Sequence, residues 1–115
     1  MTSPVDFVIR FTLADGAAEA FDAWAVGQLA AARAADGVLD YAIHEGADGT
    51  FVQHERYASE AAASAFAQER GPALGEWSQL ARPSELLVLG GISEQFRAAL
   101  PPFGTAFAPK HRLAR

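Results

Sequence analysis

Val5-Asp6-Phe7-Val8-Ile9-Arg10-Phe11-Thr12-Leu13 is apolar at every odd position. Successive side chains of a strand point to opposite faces, so this period of two predicts a β-strand with one strongly buried face. Asp6, Arg10 and Thr12 fall on the other face, with Val8 the exception. Asp15-Gly16 ends the run, and the period then changes. From Ala17 to about Ala35 the residues Ala18, Phe21, Ala25, Leu29 and Ala32 recur three or four places apart. That spacing predicts an amphipathic helix with a narrow, alanine-rich contact stripe, closed by Asp36-Gly37.

Outward from this strand–helix pair, Val38 to Glu45 reads as a second strand and Thr50 to Tyr57 as a third, with Gly46-Ala47-Asp48-Gly49 supplying hairpin chemistry between them. A two-residue Asp48-Gly49 turn sets Tyr41 opposite Arg56, and a three-residue loop is expected to set it opposite Gln53; the two registers put different third-strand side chains beside Tyr41. Ser59 can cap a second helix running to about Arg70 by accepting from an orphan amide. Gly71-Pro72 stops that helix and can start another, on which Leu74, Trp77 and Leu80 share a face and which Pro83 breaks. Leu86 to Gly90 is read as a fourth strand, apolar enough to be central or covered on both sides. Ser93 to Leu100 is a short helix, and Pro101-Pro102 opens an irregular tail. The order β-α-β-β-α-β is that of ferredoxin-like α+β domains. It predicts a four-stranded antiparallel sheet with both main helices on one face and the other face free for a second copy.

The 115 residues amount to one small domain, read here as 1–115 with a core over about 5–91 and a short helix and tail over 92–115. Half of the residues are hydrophobic, enough for a core without a metal or disulfide staple. The absence of cysteine excludes disulfide frameworks, thiolate zinc sites, iron–sulfur ligation and cysteine nucleophiles together. The net charge of −5, with Lys110, Arg112 and Arg115 crowded at the end, argues against a nucleic-acid partner. Alanine occurs 26 times and arginine outnumbers lysine eight to one, a compositional bias with no functional content. Met1-Thr2-Ser3-Pro4-Val5-Asp6 is not a signal peptide and the apolar stretch around Leu86 to Leu89 is too short to cross a bilayer, so a cytoplasmic location and no membrane partner are expected. Gly90-Gly91 lacks the spacing of a phosphate loop, and no serine elbow is present.

Three kinds of side chain carry candidate chemistry. Glu55, in Glu55-Arg56-Tyr57, is a general base if it is buried among aromatics, and a strand-end carboxylate paired with arginine if it is not. His44 and His54 lie on the two arms of the hairpin and titrate near neutral pH, which makes them candidate acid–base groups or plain surface residues. With His111 in the tail their spacing matches no metal-ligand motif, so no metal is expected. Trp24, Tyr41, Tyr57, Phe66 and Trp77 either fill the core or line an apolar pocket suited to an aromatic ligand. Arg10 is costly to bury unpaired, so it meets a carboxylate across the sheet or interface, or an anionic ligand.

Phe21-x-x-Trp24, Gly37-Val38-Leu39-x-Tyr41, Glu55-Arg56-Tyr57 and the following Ser59 and Ala62 carry a resemblance to the antibiotic biosynthesis monooxygenase family over about residues 5 to 91. The tail, with Gly91-Ile92-Ser93-Glu94 and Arg97-x-x-Leu100, is similar to extensions on some relatives. The resemblance implies a dimeric α+β barrel, a homodimer with a pocket for a small aromatic ligand. Members include cofactor-free monooxygenases of aromatic polyketides or quinols, haem-degrading proteins, and others without known activity. Haem degraders use an asparagine on the first strand and a histidine on the second helix. This chain has no asparagine, its first-strand position falls near Ile9 or Arg10, and Phe66 stands where several relatives carry the histidine. Trp77 approximates a tryptophan that oxygenase branches use. No haem, flavin or other cofactor is therefore expected. Two functions follow: a cofactor-independent monooxygenase of a small aromatic substrate, or a non-catalytic dimeric binder using the same pocket.

Overall fold

The structure, a computed structural model, describes residues 3–100 and 105–108. The chain runs β1 (Val5–Leu13), α1 (Ala18–Ala34), β2 (Val38–Glu45), β3 (Phe51–Tyr57), α2 (Glu60–Glu69), α3 (Gly71–Leu80), β4 (Ala81–Leu89), α4 (Glu94–Ala98) and β5 (Thr105–Ala108). His111 and the basic residues around it lie outside the described residues.

The strands form one sheet in the order β2-β3-β1-β4-β5. β1 pairs antiparallel with both β3 and β4, β2 pairs antiparallel with β3, and β5 lies parallel to β4. The sheet is thus five-stranded and mixed, where the sequence reading gave four antiparallel strands and an irregular tail. The extra strand is a four-residue stretch, Thr-Ala-Phe-Ala, too short and too poor in branched residues to show a period. β4 also begins at Ala81, five residues before the expected Leu86. Pro83 ends no helix; it sits inside β4, where the register with β1 slips so that Arg10 faces Glu85 and Phe11 faces Pro83. Skipping Ser84 accommodates a residue that cannot donate to the ladder, and the Ser84 hydroxyl donates to the Arg10 carbonyl at 3.2 Å.

The odd-numbered face of β1 is the buried one, as its period predicts. Val5 and Phe7 join Ala32 of α1, Tyr57, Ala63 and Phe66 of α2, Leu86 and Val88 in one core cluster. Phe11 joins Phe21, Trp24, Phe51 and Ala81 in another, with Trp77 and Leu80 of α3 against it. All four helices among the described residues lie on this side. The buried stripe of α1 is Phe21, Trp24, Gln28 and Ala32, larger and more polar than the alanine-rich stripe expected. Ser59 caps α2 through its hydroxyl, which accepts from the Ala62 amide at 3.1 Å. β2 and α2 approach so closely that a Cβ on Gly37 would lie 2.6 Å from that of Ala62, which requires glycine there.

The hairpin takes neither expected register. Gly46 donates to the Thr50 carbonyl at 2.8 Å, Asp48 accepts from the Thr50 amide, and Gly49 takes φ +84°. Ala47, Asp48 and Gly49 therefore make a three-residue loop, and it sets Tyr41 opposite Glu55. A loop of this length keeps odd opposite odd, so Tyr41, Gln53, Glu55 and Tyr57 all face the helices.

Candidate active site

Between the sheet and the helices lies a cavity of about 770 Å³. Its apolar walls include Phe7 and Ile9 from β1, Trp24 from α1, Phe66 from α2, Trp77 from α3 and Leu86 from β4. Phe96, Ala99 and Leu100 of the α4 region line it as well. Alternation along β3 brings Gln53, Glu55 and Tyr57 to the cavity, and the hairpin adds Tyr41.

These polar groups form one connected network. The Tyr57 hydroxyl donates to one Glu55 carboxylate oxygen and the Gln53 amide to the other, both at 2.5 Å. The same Gln53 nitrogen approaches the Tyr41 hydroxyl at 2.8 Å, and Gln28 of α1 donates to that hydroxyl at 3.1 Å. Arg70, at the α2–α3 junction, donates from Nε to Gln28 Oε1 at 3.0 Å. Gln53 and Gln28 are 3% and 1% exposed, so these bonds form away from bulk water. Gln53 Oε1 and Trp77 Nε1 are the two buried side-chain polar atoms without a partner among the described residues.

Burial pushes the Glu55 carboxyl above its ordinary range, and the hydrogen bonds from Tyr57, Gln53 and Tyr41 pull it only part of the way back. Burial, reinforced by the Glu55 charge, pushes the Tyr41 and Tyr57 hydroxyls far up, so both stay protonated. The arrangement is an acceptor of protons flanked by permanent donors. Such an arrangement is chemically able to take a proton from a molecule in the cavity and to hold the charge that results.

Six of the residues singled out in the sequence, Glu55, Trp24, Tyr41, Tyr57, Phe66 and Trp77, line this cavity. His44, His54 and Arg10 do not; they lie on the opposite face of the sheet. The reason is parity, since His54 neighbours Glu55 in a strand and His44 stands opposite Val52. His54 instead lies 2.7 Å from a carboxylate oxygen of Asp6, a buried residue that also accepts from Arg56 Nε at 3.1 Å. Burial raises the Asp6 carboxyl, but the bonds from Arg56 and His54 outweigh it and hold the group below its ordinary value. Arg10 is exposed beside Glu85 on the neighbouring strand. Gln28, Gln53 and Arg70 were missed in the sequence. The one available sign was a glutamine four residues after Trp24 and four before Ala32, on the buried stripe. Among the described residues no group of three or more His, Asp or Glu is placed to hold a metal ion.

The family model for antibiotic biosynthesis monooxygenases matches residues 4–78. A comparison with curated protein sequences gave no match. Among solved structures the chain is similar to MupZ from Pseudomonas fluorescens, with a TM-score of 0.83 at 16% identity, covering 98% of this chain and 94% of that one. Rv0793 from Mycobacterium tuberculosis is 30% identical, with a TM-score of 0.69 over 80% of this chain and 98% of its own. SnoaB, a cofactor-independent oxygenase from Streptomyces nogalater, is 19% identical, with a TM-score of 0.66 over 79% of this chain and 95% of its own.

Proposed function

The chain belongs to the antibiotic biosynthesis monooxygenase family, and we propose that it oxidises a small electron-rich aromatic substrate, a phenol or quinol, directly with dioxygen. The observation that carries this reading is the Glu55 carboxylate, desolvated in an aromatic cavity and held by Tyr57 and Gln53. The ring of the substrate lies against Phe66, Trp24 and Trp77, and its hydroxyl donates to Glu55. Transfer of that proton leaves a phenolate, whose electron-rich ring can reduce oxygen where a neutral phenol cannot. Donors in the network stabilise the anion. For a naphthol the balance closes without another reductant: one dioxygen is consumed, one oxygen atom enters the ring to give the quinone, and the other leaves as water with the two hydrogens lost. A fold-mate described as a cofactor-independent oxygenase supports the same reading.

Oxygen uptake with 1,4-dihydroxynaphthalene and 1-naphthol, corrected for autoxidation, is the test. Uptake with the wild type should fall about 10²–10⁴-fold in Glu55→Gln, the usual worth of a general base. Equal rates in the two proteins remove Glu55 from the mechanism. No uptake with any phenol removes the oxygenase reading.

The active form in this proposal is a homodimer joined through the even-numbered sheet face, which no described helix covers. Val8, Val52, Leu87 and Leu89 are partly exposed there, around the buried Asp6 cluster. Contiguous apolar surface of this kind marks an association site. Light scattering after size exclusion should give twice the monomer mass, and a monomer at micromolar concentration would overturn the dimer.

A further inference from the structure

Arg70 follows α2 and precedes α3, and its side chain reaches the cavity. Its one side-chain hydrogen bond among the described residues runs from Nε to Gln28 Oε1. A guanidinium carries five N–H donors in a planar fork, so four of them, on the two Nη atoms, remain uncommitted. Neither Nη atom is a buried orphan, and Arg70 is partly exposed. None of the ion pairs among the described residues includes Arg70. The same holds for every described arginine but Arg56, so what sets Arg70 apart is its place at the cavity and its bond to Gln28.

A cation at the end of α2 is favourable for the helix dipole, but that role needs charge alone and no fixed orientation. Here the orientation is fixed. Gln28 is essentially unexposed and spends both ends of its amide, accepting from Arg70 and donating to Tyr41. The chain Arg70–Gln28–Tyr41–Gln53–Glu55 thus sets the guanidinium plane at a defined distance from the proton acceptor. Of the five exposed residues at the cavity, Ala67, Gln68, Leu74 and Ser78 come from the same two helices that meet at Arg70, and the fifth is Ala99. The arginine therefore stands beside most of the solvent-exposed part of the cavity wall.

We propose that Arg70 recognises a carboxylate on the ligand, so that the substrate class is a hydroxylated aromatic acid. The carboxylate pairs with the Nη edge, the ring lies against Phe66 and Trp77, and the hydroxyl reaches Glu55. A planar fork meeting a carboxylate by two parallel hydrogen bonds fixes direction as well as position. The acid anchors one end of the molecule and presents the other to the base. This rests on the cavity being the aromatic-ligand site proposed above, but not on the reaction with oxygen.

Calorimetric titration of the full chain with 6-hydroxy-2-naphthoic acid and with 2-naphthol, near neutral pH, separates the cases. The acid should bind about tenfold or more tightly than the naphthol, the usual scale for a charge-assisted bidentate contact. Raising the salt should shrink that preference, because the pair is partly exposed. Arg70→Met should weaken the acid about tenfold more than the naphthol, and Arg70→Lys should keep part of the difference. Equal binding of the two probes by wild type, or no binding of either, overturns the proposal, as does an equal loss for both in Arg70→Met. The wild-type salt series decides the matter even if the variants fold poorly. Selective binding without oxygen uptake by any phenol would leave Arg70 in place and sink the oxygenase reading. Uptake without selectivity would do the reverse.

Discussion

Glu55 owes its surroundings to three neighbours that the sequence does not put side by side. Gln53 and Tyr57 lie two residues away on the same face, and Tyr41 arrives through the hairpin register. Removing a donor from the carboxylate should raise its pKa further. Gln53→Met is therefore expected to move the acidic limb of the pH–rate profile upward, while Glu55→Gln abolishes that limb; an unmoved limb would mean that Glu55 is not the group being titrated. Stability follows the same sign. The folded carboxyl binds its proton more tightly than the unfolded one, whose ordinary value is 4.5. The contribution of Glu55 is then fully present below that value and is lost as pH rises through the raised one. Melting temperatures of wild type should fall relative to Glu55→Gln as pH rises above 4.5 and through the raised value. The carboxylate and the aromatics were legible because their types announce chemistry. Glutamines 28 and 53 were not, since an amide neither titrates nor contributes to an apolar period. The histidines misled for the opposite reason: their side-chain type suggested acid–base work, while their position on the strand placed them on the far face.

At the scale of elements, β1, α1 and the presence of the β2–β3 hairpin, though not its register, follow from period and turn chemistry, and the α2–α3 break falls at Gly71-Pro72. The failures cluster after residue 80, where Pro83 hides the first half of β4 behind a bulge and β5 is too short for a pattern. α4 shows why so short a helix holds its place. Ser93 caps it, and Glu60 at the start of α2 accepts from both the Ser93 amide at 2.6 Å and its hydroxyl at 2.7 Å. Phe96 then packs on Phe7 with ring centroids 6.0 Å apart. Glu60→Ala removes both acceptors. It should lower the midpoint of chemical denaturation and speed amide exchange in α4 more than in α1. Uniform exchange across the two helices would show that the clamp is not what fixes α4.

At the scale of the molecule, the sheet separates two kinds of polar chemistry. The helix side holds a proton acceptor in an apolar cavity, and the other side holds Asp6 with His54 and Arg56. Asp6→Asn would leave Arg56 and His54 facing an uncharged partner. We expect a loss of about 1–3 kcal/mol at neutral pH, read from a denaturant midpoint. The Asp6 carboxyl is held below its ordinary 3.8, so its contribution is present above that value and disappears as pH falls through the lowered one. Wild type and Asp6→Asn should therefore converge in stability only in strong acid. The parallel strand β5 has a different consequence. Strand β4 is paired with β1 on one side, and β5 occupies the other. A chain cut after residue 91 would expose on β4 a row of amides and carbonyls that any extended segment could meet, including the same row on another copy. The last strand covers the Leu86–Leu89 part of that row, and its own four residues are a shorter template than the strand they cover.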